Sequence, residues 1–322
     1  MDSPEPRLSV VVPVYNERES LTPLHARLGQ VLAGDSYEII FVDDGSSDGS
    51  SQALQEIQAG DPCVRVVRFG RNFGKAAALA AGFKETRGEV IITLDADLQD
   101  DPAEIPRLVA TLEDGYDLVS GWKKGRQDPP SKTVPSRFFN WTTSRLTGIP
   151  LRDFNSGFKA YRRPLLEHLS LYGELHRFIP ALVYWKGFRV TEIPVVHHPR
   201  RWGKSKYGAW RFLAGFLDLM TVLFLTRFRH RPLHVFGLLG LVSALIGLVI
   251  NVYLSVVWLL GERIGNRPLL MLGVLLMVIG IQFFSIGLLA EMLTLASSRQ
   301  DGEGPAYTVT DAGTPDRSKV AR

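Results

Sequence analysis

Short apolar, β-branched runs alternate with longer segments of helical spacing through the first third of the chain. The runs are Leu8–Val14, Glu38–Val42, Val64–Phe69 and Val90–Leu94. The intervening segments are Glu19–Ala33, Ser50–Ala59, Lys75–Thr86 and Pro102–Glu113. Apolar runs without polar alternation predict strands covered on both faces, and strand alternating with helix predicts a mostly parallel α/β sheet. Pro102, just after Asp100-Asp101, suits the first turn of a helix. From Gly121 to about Gly208 the pattern is less regular, and one further strand is expected at Arg189–His197.

The texture then changes. His234–Leu260 and Leu269–Ala296 are almost wholly apolar, broken only by small residues and by Asn251, Tyr253, Gln282 and Glu291. Each exceeds the roughly 20 residues that span hydrocarbon, and the polar Gly261–Pro268 loop between them predicts a transmembrane hairpin. Arg227, Arg229, His230 and Arg231 precede the first span and Arg299 follows the second, against Arg263, Arg267 and Glu262 in the loop. The positive-inside rule then puts the globular part and both termini in the cytoplasm, on a multi-pass protein of the cell membrane. Trp210–Phe228, interrupted by Arg211 and Asp218, reads as an amphipathic helix at the interface. The expected division is a globular domain over 1–207, juxtamembrane helices over 208–232, two spans within 233–297 and a polar, disordered tail over 298–322.

Composition narrows the classes. Of 322 residues 45% are hydrophobic and 22% charged, which excludes a disordered or fibrous chain. The net charge of +4 suits an anionic substrate or lipid surface and gives no reason to invoke nucleic acid. A lone cysteine, Cys63, excludes an internal disulfide and a cysteine-built zinc site, as expected of a reducing compartment. Met1–Arg7 is too polar for a signal peptide. Nothing in the pattern opposes a homo-oligomer.

In parallel sheets ligands bind beyond the carboxyl ends of the strands. Those ends are here polar and acidic: Tyr15-Asn16-Glu17, Asp43-Asp44-Gly45-Ser46 and Asp95-Ala96-Asp97. In extended chain Asp95 and Asp97 share a face, which makes them candidate ligands for Mg²⁺ or Mn²⁺, with Gln99 a further oxygen donor. His197 and His198 point to opposite sides, a poor chelating geometry. Phosphate-loop lookalikes fail: Gly203-Lys204-Ser205 has His198 where a Walker loop needs its first glycine, and Ala76 follows Gly74-Lys75. No Gly-x-Gly-x-x-Gly follows the first strand, which argues against a dinucleotide enzyme.

The run Val10-Val11-Val12-Pro13-Val14-Tyr15-Asn16-Glu17, then Phe41-Val42-Asp43-Asp44-Gly45-Ser46, then Leu94-Asp95-Ala96-Asp97, resembles the family 2 glycosyltransferases of GT-A fold. The resemblance continues through Arg71-Asn72-Phe73-Gly74-Lys75, Ser156-Gly157-Phe158-Lys159 and Gly203-Lys204-Ser205-Lys206-Tyr207. With the two spans, the chain is similar to polyprenyl-phosphate glycosyltransferases of the dolichol-phosphate mannose synthase and bacterial GtrB groups. The resemblance implies transfer of one hexose, with inversion, from a nucleotide sugar of UDP-glucose or GDP-mannose type to a polyprenyl phosphate, assisted by Mg²⁺ or Mn²⁺.

What it implies residue by residue is a nucleoside held by Pro13, Tyr15, Glu17 and Asp43, with Gly74 and Lys75 near the base. Asp95, Asp97 and Gln99 carry the metal. Arg201, Lys204 and Ser205, with Tyr207, belong to a segment that closes over the diphosphate. A lipid phosphate has a second pKa near ~6 and needs no strong base, only a cationic cradle. Lys123, Arg126, Lys132 and Arg137 lie in the region for that cradle, and Arg126 and Arg137 are the better candidates. The aspartate of the GtrB Gly-Asp-Phe-Arg run is missing from Ser156-Gly157-Phe158-Lys159; Asp153, just upstream, is placed to orient Lys159, Arg126 or the sugar. Two alternatives stand beside this reading. One is a processive polysaccharide synthase, against which His198 replaces the glutamine of a Gln-x-x-Arg-Trp motif. The other is a non-catalytic nucleotide-sugar-binding membrane protein.

Overall fold

The computed structural model describes residues 5–123, 130–169, 171, 173, 175–199, 220–221, 232–264 and 268–300. The chain divides into two compact units, Met1–Val222 and Leu223–Arg322.

The first unit is built on one seven-stranded sheet of order β3-β2-β1-β4-β6-β5-β7. Its strands are β1 Leu8–Val14, β2 Tyr37–Asp43, β3 Val64–Arg68, β4 Val90–Thr93, β5 Leu118–Lys123, β6 Lys159–Arg162 and β7 Val190–Val195. Only β6 runs antiparallel to its neighbours, β4 and β5. The helices are α1 Arg18–Leu32, α2 Ser50–Gly60, α3 Lys75–Glu85, α4 Ile105–Glu113, α5 Pro130–Thr147, α6 Arg163–Leu166 and α7 Ile179–Tyr184. A 3₁₀ turn at Pro102–Glu104 leads into α4, and the Asp101 carboxylate caps it by accepting from the Ala103 N–H at 3.0 Å.

The alternation along β1 sorts the core. Val10, Val12 and Val14 face one way, onto Leu21, Leu24 and Leu28 of α1, Leu54 of α2 and Leu108 and Leu112 of α4. Val11 faces the other way, onto Ala78 and Leu79 of α3 and Ile179 and Val183 of α7. Both faces are covered, so β1 carries apolar residues at nearly every position. From β1 the chain steps to β2 and β3 on one side and to β4 on the other, so the switch point lies between the β1 and β4 ends.

The sequence pattern placed β1 to β4 and α1 to α3 within one residue of their observed bounds; β7 ends two residues before the expected His197, and the expected helix start at Pro102 is the 3₁₀ turn, with α4 beginning at Ile105. It missed β5, β6 and α5. Leu118–Lys123 loses its apolar run to Ser120, Gly121 and Lys123, and Lys159–Arg162 has only four residues, two of them basic. Proline, threonine and weak amphipathic character hide α5 in the sequence.

The second unit is a pair of long helices, α8 Pro232–Leu259 and α9 Pro268–Gln300, against the expected 234–260 and 269–296. Their apolar windows have mean hydropathies of 2.4 and 2.5, with only 17% and 11% of the window buried. A core helix of a soluble domain would be mostly covered; these present their leucines outward, as membrane-spanning helices do. The helices meet along glycines. A Cβ on Gly240 would fall 2.5 Å from the Gly280 carbonyl oxygen, and one on Gly247 would fall 2.5 Å from that of Gly273. The seven-residue spacing of these glycines keeps the seam on one face of each helix. The polar interruptions noted in the sequence serve this hairpin. Asn251 Nδ2 donates to the Gly247 carbonyl at 2.8 Å, and Glu291 Oε2 accepts from the Leu233 N–H at 3.2 Å, satisfying an orphan donor of the α8 start.

Candidate active site

The loops after β1 and β2 are tied to each other by hydrogen bonds. Asn16, left-handed at φ 54°, donates its N–H to Ser46 Oγ at 2.9 Å and accepts from the Ser47 N–H at 2.8 Å. The Glu17 N–H donates to Ser50 Oγ at 3.0 Å, and Ser50 Oγ in turn donates to Asp48 Oδ1 at 2.6 Å. Asn tolerates this backbone better than most residues, which explains its place in Tyr15-Asn16-Glu17. The result is a rigid rim carrying half-buried Pro13 and Glu17 and exposed Tyr15.

Asp43 and Asp44 divide the work of the second loop. Asp43 is fully buried, accepts from the Ser46 N–H at 2.9 Å and from Ser51 Oγ, and faces Arg68 Nε at 4.0 Å. Asp44 reaches the segment before α3, accepting from the N–H groups of Phe73 at 2.6 Å and Gly74 at 2.9 Å. Gly45, at φ 70°, lets that segment lie flat on the turn: a Cβ there would meet the Arg71 carbonyl carbon at 2.4 Å. Gly74 itself, at φ 93°, precedes the first residue of α3, Lys75. These contacts bring the Arg71–Lys75 motif beside the β1 and β2 ends, where the sequence reading put the nucleoside.

Beyond β4 the chain turns sharply, with Leu98 in the left-handed region at φ 56°. A branched side chain with positive φ is strained, and such strain collects at functional turns. Asp97 is buried, and its Oδ1 accepts from the Gln99 N–H at 3.2 Å. Asp95 is half-buried, its carboxylate over Gly157, and it pairs with the Lys75 ammonium. Burial pushes the Asp95 carboxyl up, but the ammoniums of Lys75 and Lys123 pull harder, so it is held well below the usual carboxylate range.

Under Asp95 lies a cationic floor that the sequence reading did not foresee. Lys159, 2% exposed at the start of β6, donates to the Ser156 carbonyl. Burial and the like charge of Lys75 push its ammonium down to about 7, against the pull of Asp153 and Asp95. His176 lies in the same field, its Nδ1 buried without a hydrogen-bond partner among the described residues. Burial drives it well below its ordinary value, so it is neutral near pH 7. Asp153 is buried, accepts from the Asn155 N–H at 3.1 Å and donates its own N–H to Glu192 at 3.3 Å. The antiparallel β6 creates this floor. Its register sets Lys159 opposite both Thr93 of β4 and Ser120 of β5, so the strand's beginning sits among the ends of its neighbours.

The two histidines take separate partners, as their alternation required: His197 Nδ1 lies 3.0 Å from Asp100 Oδ1 and His198 Nε2 lies 3.1 Å from Asp101 Oδ2. Asp100 also faces Lys123 Nζ at 3.8 Å, and its Oδ2 is buried without a hydrogen-bond partner among the described residues. Lys123 therefore stands between Asp95 and Asp100. Arg126, Arg201, Lys204, Ser205 and Tyr207 lie outside the described residues. Lys132 and Arg137 are on α5, their side chains likewise outside them. Lys159, Asp44, Asp100 and His176 were not singled out as site residues. The only sequence signal for them was membership of motifs already quoted, in the case of Asp44 and Lys159.

The donor set suits a hard divalent cation only in part. Asp95, Asp97 and Gln99 offer oxygen, the chemistry that Mg²⁺ and Mn²⁺ prefer. No group of three or more His, Cys, Asp or Glu side chains that could hold a metal occurs among the described residues. The residues fit an ion that completes its shell with diphosphate oxygens and water.

Comparison with known proteins places this arrangement. Residues 9–170 match the model of glycosyl transferase family 2. The chain is 40% identical over 310 residues to dodecaprenyl-phosphate galacturonate synthase of Rhizobium johnstonii, covering 94% of this chain and 91% of that one. It is also 40% identical over 299 residues to the undecaprenyl-phosphate 4-deoxy-4-formamido-L-arabinose transferase of Yersinia pestis, covering 91% and 90%. Among solved structures, glucosyl-3-phosphoglycerate synthase from Mycobacterium tuberculosis, in complex with Mn²⁺, UDP-glucose and phosphoglyceric acid, shares the fold at TM-score 0.54 and 21% identity over 69% of this chain and 79% of that one. A mannosyltransferase from Pyrobaculum calidifontis, in complex with GDP-mannose and Mn²⁺, gives 0.50 and 21% over 94% and 77%. With its mostly parallel GT-A sheet and acidic β4 end, the chain belongs to the family 2 glycosyltransferases.

Proposed function

We propose that this enzyme transfers a single hexose, with inversion, from a nucleotide sugar of UDP-glucose or GDP-mannose type to a polyprenyl phosphate such as undecaprenyl phosphate. The observation that carries the reading is the acidic end of β4, where Asp95 pairs with the Lys75 ammonium within the fields of Lys123 and Lys159 and Asp97 lies buried beside it. The two relatives named for polyprenyl-phosphate products support the acceptor, since they match nearly the whole chain. The outward-facing apolar hairpin supports a membrane-embedded acceptor. On this reading the catalytic unit and both termini lie at the cytoplasmic face of the cell membrane.

The acceptor phosphate is mostly dianionic near neutral pH and already nucleophilic. One of its oxygens bonds to the anomeric carbon as the bond from that carbon to the nucleoside diphosphate breaks, and the electron pair leaves with the diphosphate. A single displacement inverts the anomeric centre and needs no strong base. Pro13, Tyr15, Glu17, Asp43, Gly74 and Lys75 hold the nucleoside. Lys123 holds the acceptor phosphate, together with Arg126, Lys132 and Arg137. Asp153 orients the sugar through its place beside Lys159. Arg201, Lys204 and Ser205 cover the diphosphate. Asp95, Asp97 and Gln99 would hold Mg²⁺ or Mn²⁺, which when bound supplies neutralisation of charge on the departing diphosphate.

The test is transfer of radiolabelled sugar to undecaprenyl phosphate in vesicles, screened over nucleotide sugars. Label passing into the organic phase with one donor, and lost in Asp97→Ala, is the expected result. Label that stays in water with every donor, or normal turnover of Asp97→Ala under chelation, would overturn the reading.

A further inference from the structure

The Lys75 ammonium already occupies Asp95. It reaches the carboxylate from the first turn of α3, while Gly157 backs the carboxylate from the other side. The Asp44 contacts to Phe73 and Gly74 fix the segment that delivers Lys75, so the pair is built into the fold rather than made by a wandering surface side chain. Asp97 is committed in part as well, its Oδ1 taken by the Gln99 N–H. A cation arriving alone thus meets one carboxylate whose charge is cancelled and a second that is partly engaged, with no third acidic or imidazole ligand grouped with them among the described residues.

We propose that Lys75 is a displaceable counter-ion of Asp95, which keeps the divalent-cation site weak until a nucleoside diphosphate arrives. The diphosphate changes the balance in two ways. It brings the oxygens that the protein does not supply, and it gives the ammonium a second anion to face. Metal and donor are then taken up together, and free metal is held only weakly. The inference rests on the proposed metal role of Asp95 and Asp97, and its test separates the two.

The experiment titrates Mn²⁺ into the full chain in detergent and follows free Mn²⁺ by electron paramagnetic resonance. It is run without nucleotide, with UDP and with GDP. The wild type binds Mn²⁺ weakly alone and more tightly with one nucleotide. Lys75→Met and Lys75→Gln bind Mn²⁺ without nucleotide at least about ten-fold more tightly than the wild type, because a unit positive charge beside the carboxylate is gone. Lys75→Arg, which keeps the charge, stays close to the wild type. Adding Asp97→Asn to Lys75→Met removes the gain. Nucleotide-dependent binding in the wild type with no gain in Lys75→Met and Lys75→Gln overturns the counter-ion role alone. A gain that survives Asp97→Asn overturns it too, by placing the ion elsewhere. Absence of Mn²⁺ binding by the wild type with either nucleotide overturns the metal reading beneath it.

Discussion

The Asp95 carboxylate rests on Gly157 so closely that a methyl group there would lie 2.7 Å from each carboxylate oxygen. Thr93 Oγ1, at the end of β4, donates to the Gly157 carbonyl at 2.8 Å and pins the two segments together. Gly157→Ala should therefore swing Asp95 off its seat without disturbing the sheet. We expect sugar transfer to fall by about 10- to 100-fold, as small misplacements in a catalytic site do. The thermal midpoint should stay within a few degrees of the wild type. Unchanged transfer would show that Asp95 need not sit where it does.

Asp44 anchors the Arg71–Lys75 segment through two backbone N–H groups, and no other carboxylate does so among the described residues. Asp44→Ala leaves both donors, on exposed Phe73 and half-buried Gly74, without the acceptor that fixes the segment. Nucleoside diphosphate affinity, measured by calorimetry, should drop at least about ten-fold. Asp44→Asn, which can still accept one of the two bonds, should fall between. Equal affinities across the three proteins would remove the segment from the nucleotide site.

Lys159 sets a pH dependence of stability. Its ammonium titrates at about 7 in the folded protein, against 10.5 when unperturbed. Between those values the unfolded chain holds a proton that the folded chain has released, so unfolding takes up a proton. The residue's contribution to stability accordingly rises with pH through that window, by up to about 1.4 kcal/mol per pH unit, and is least favourable below pH 7. Lys159→Met should be more stable than the wild type at pH 6, and the difference should shrink toward pH 9.5. Thermal midpoints in detergent across this range check it; a difference that is constant or grows with pH would contradict the burial of a charge there.

The hairpin depends on its glycines. Gly240→Leu or Gly280→Leu would drive a side chain into a helix backbone 2.5–2.6 Å from the new Cβ. Separation of α8 from α9 should lower the thermal midpoint of the second unit and impair use of bilayer-embedded acceptor. Nucleotide binding by the first unit should be unchanged. Wild-type use of the lipid acceptor by both variants would show that close packing of the spans is dispensable.

The half of the candidate site built from the ends of β1 and β2 was legible in the sequence because parallel strands announce themselves. Leu8–Val14 is buried on both faces and so is apolar throughout, and its end is marked by Tyr15-Asn16-Glu17. The other half was not, for a geometric reason. A four-residue strand such as Lys159–Arg162 borrows its stability from β4 and β5 on either side, and no local pattern reports that. The burial of Lys159 follows from that placement, and a lysine in sequence reads as solvated. Asp44 was hidden differently: the sequence showed it only as part of an acidic strand end, and only the fold shows it holding Phe73 and Gly74.

The reversed strand has one more effect. Because Ser120 of β5 lies opposite Lys159 of β6, and the Gly121 N–H meets the Phe158 carbonyl at 2.8 Å, the chain that leaves the sheet after Lys123 returns beside the strand it left. An insertion between β5 and α5 can lengthen that stretch without moving Gly157 or the strands β1, β2 and β4. Relatives can therefore differ in length there while the seat of Asp95 stays where it is.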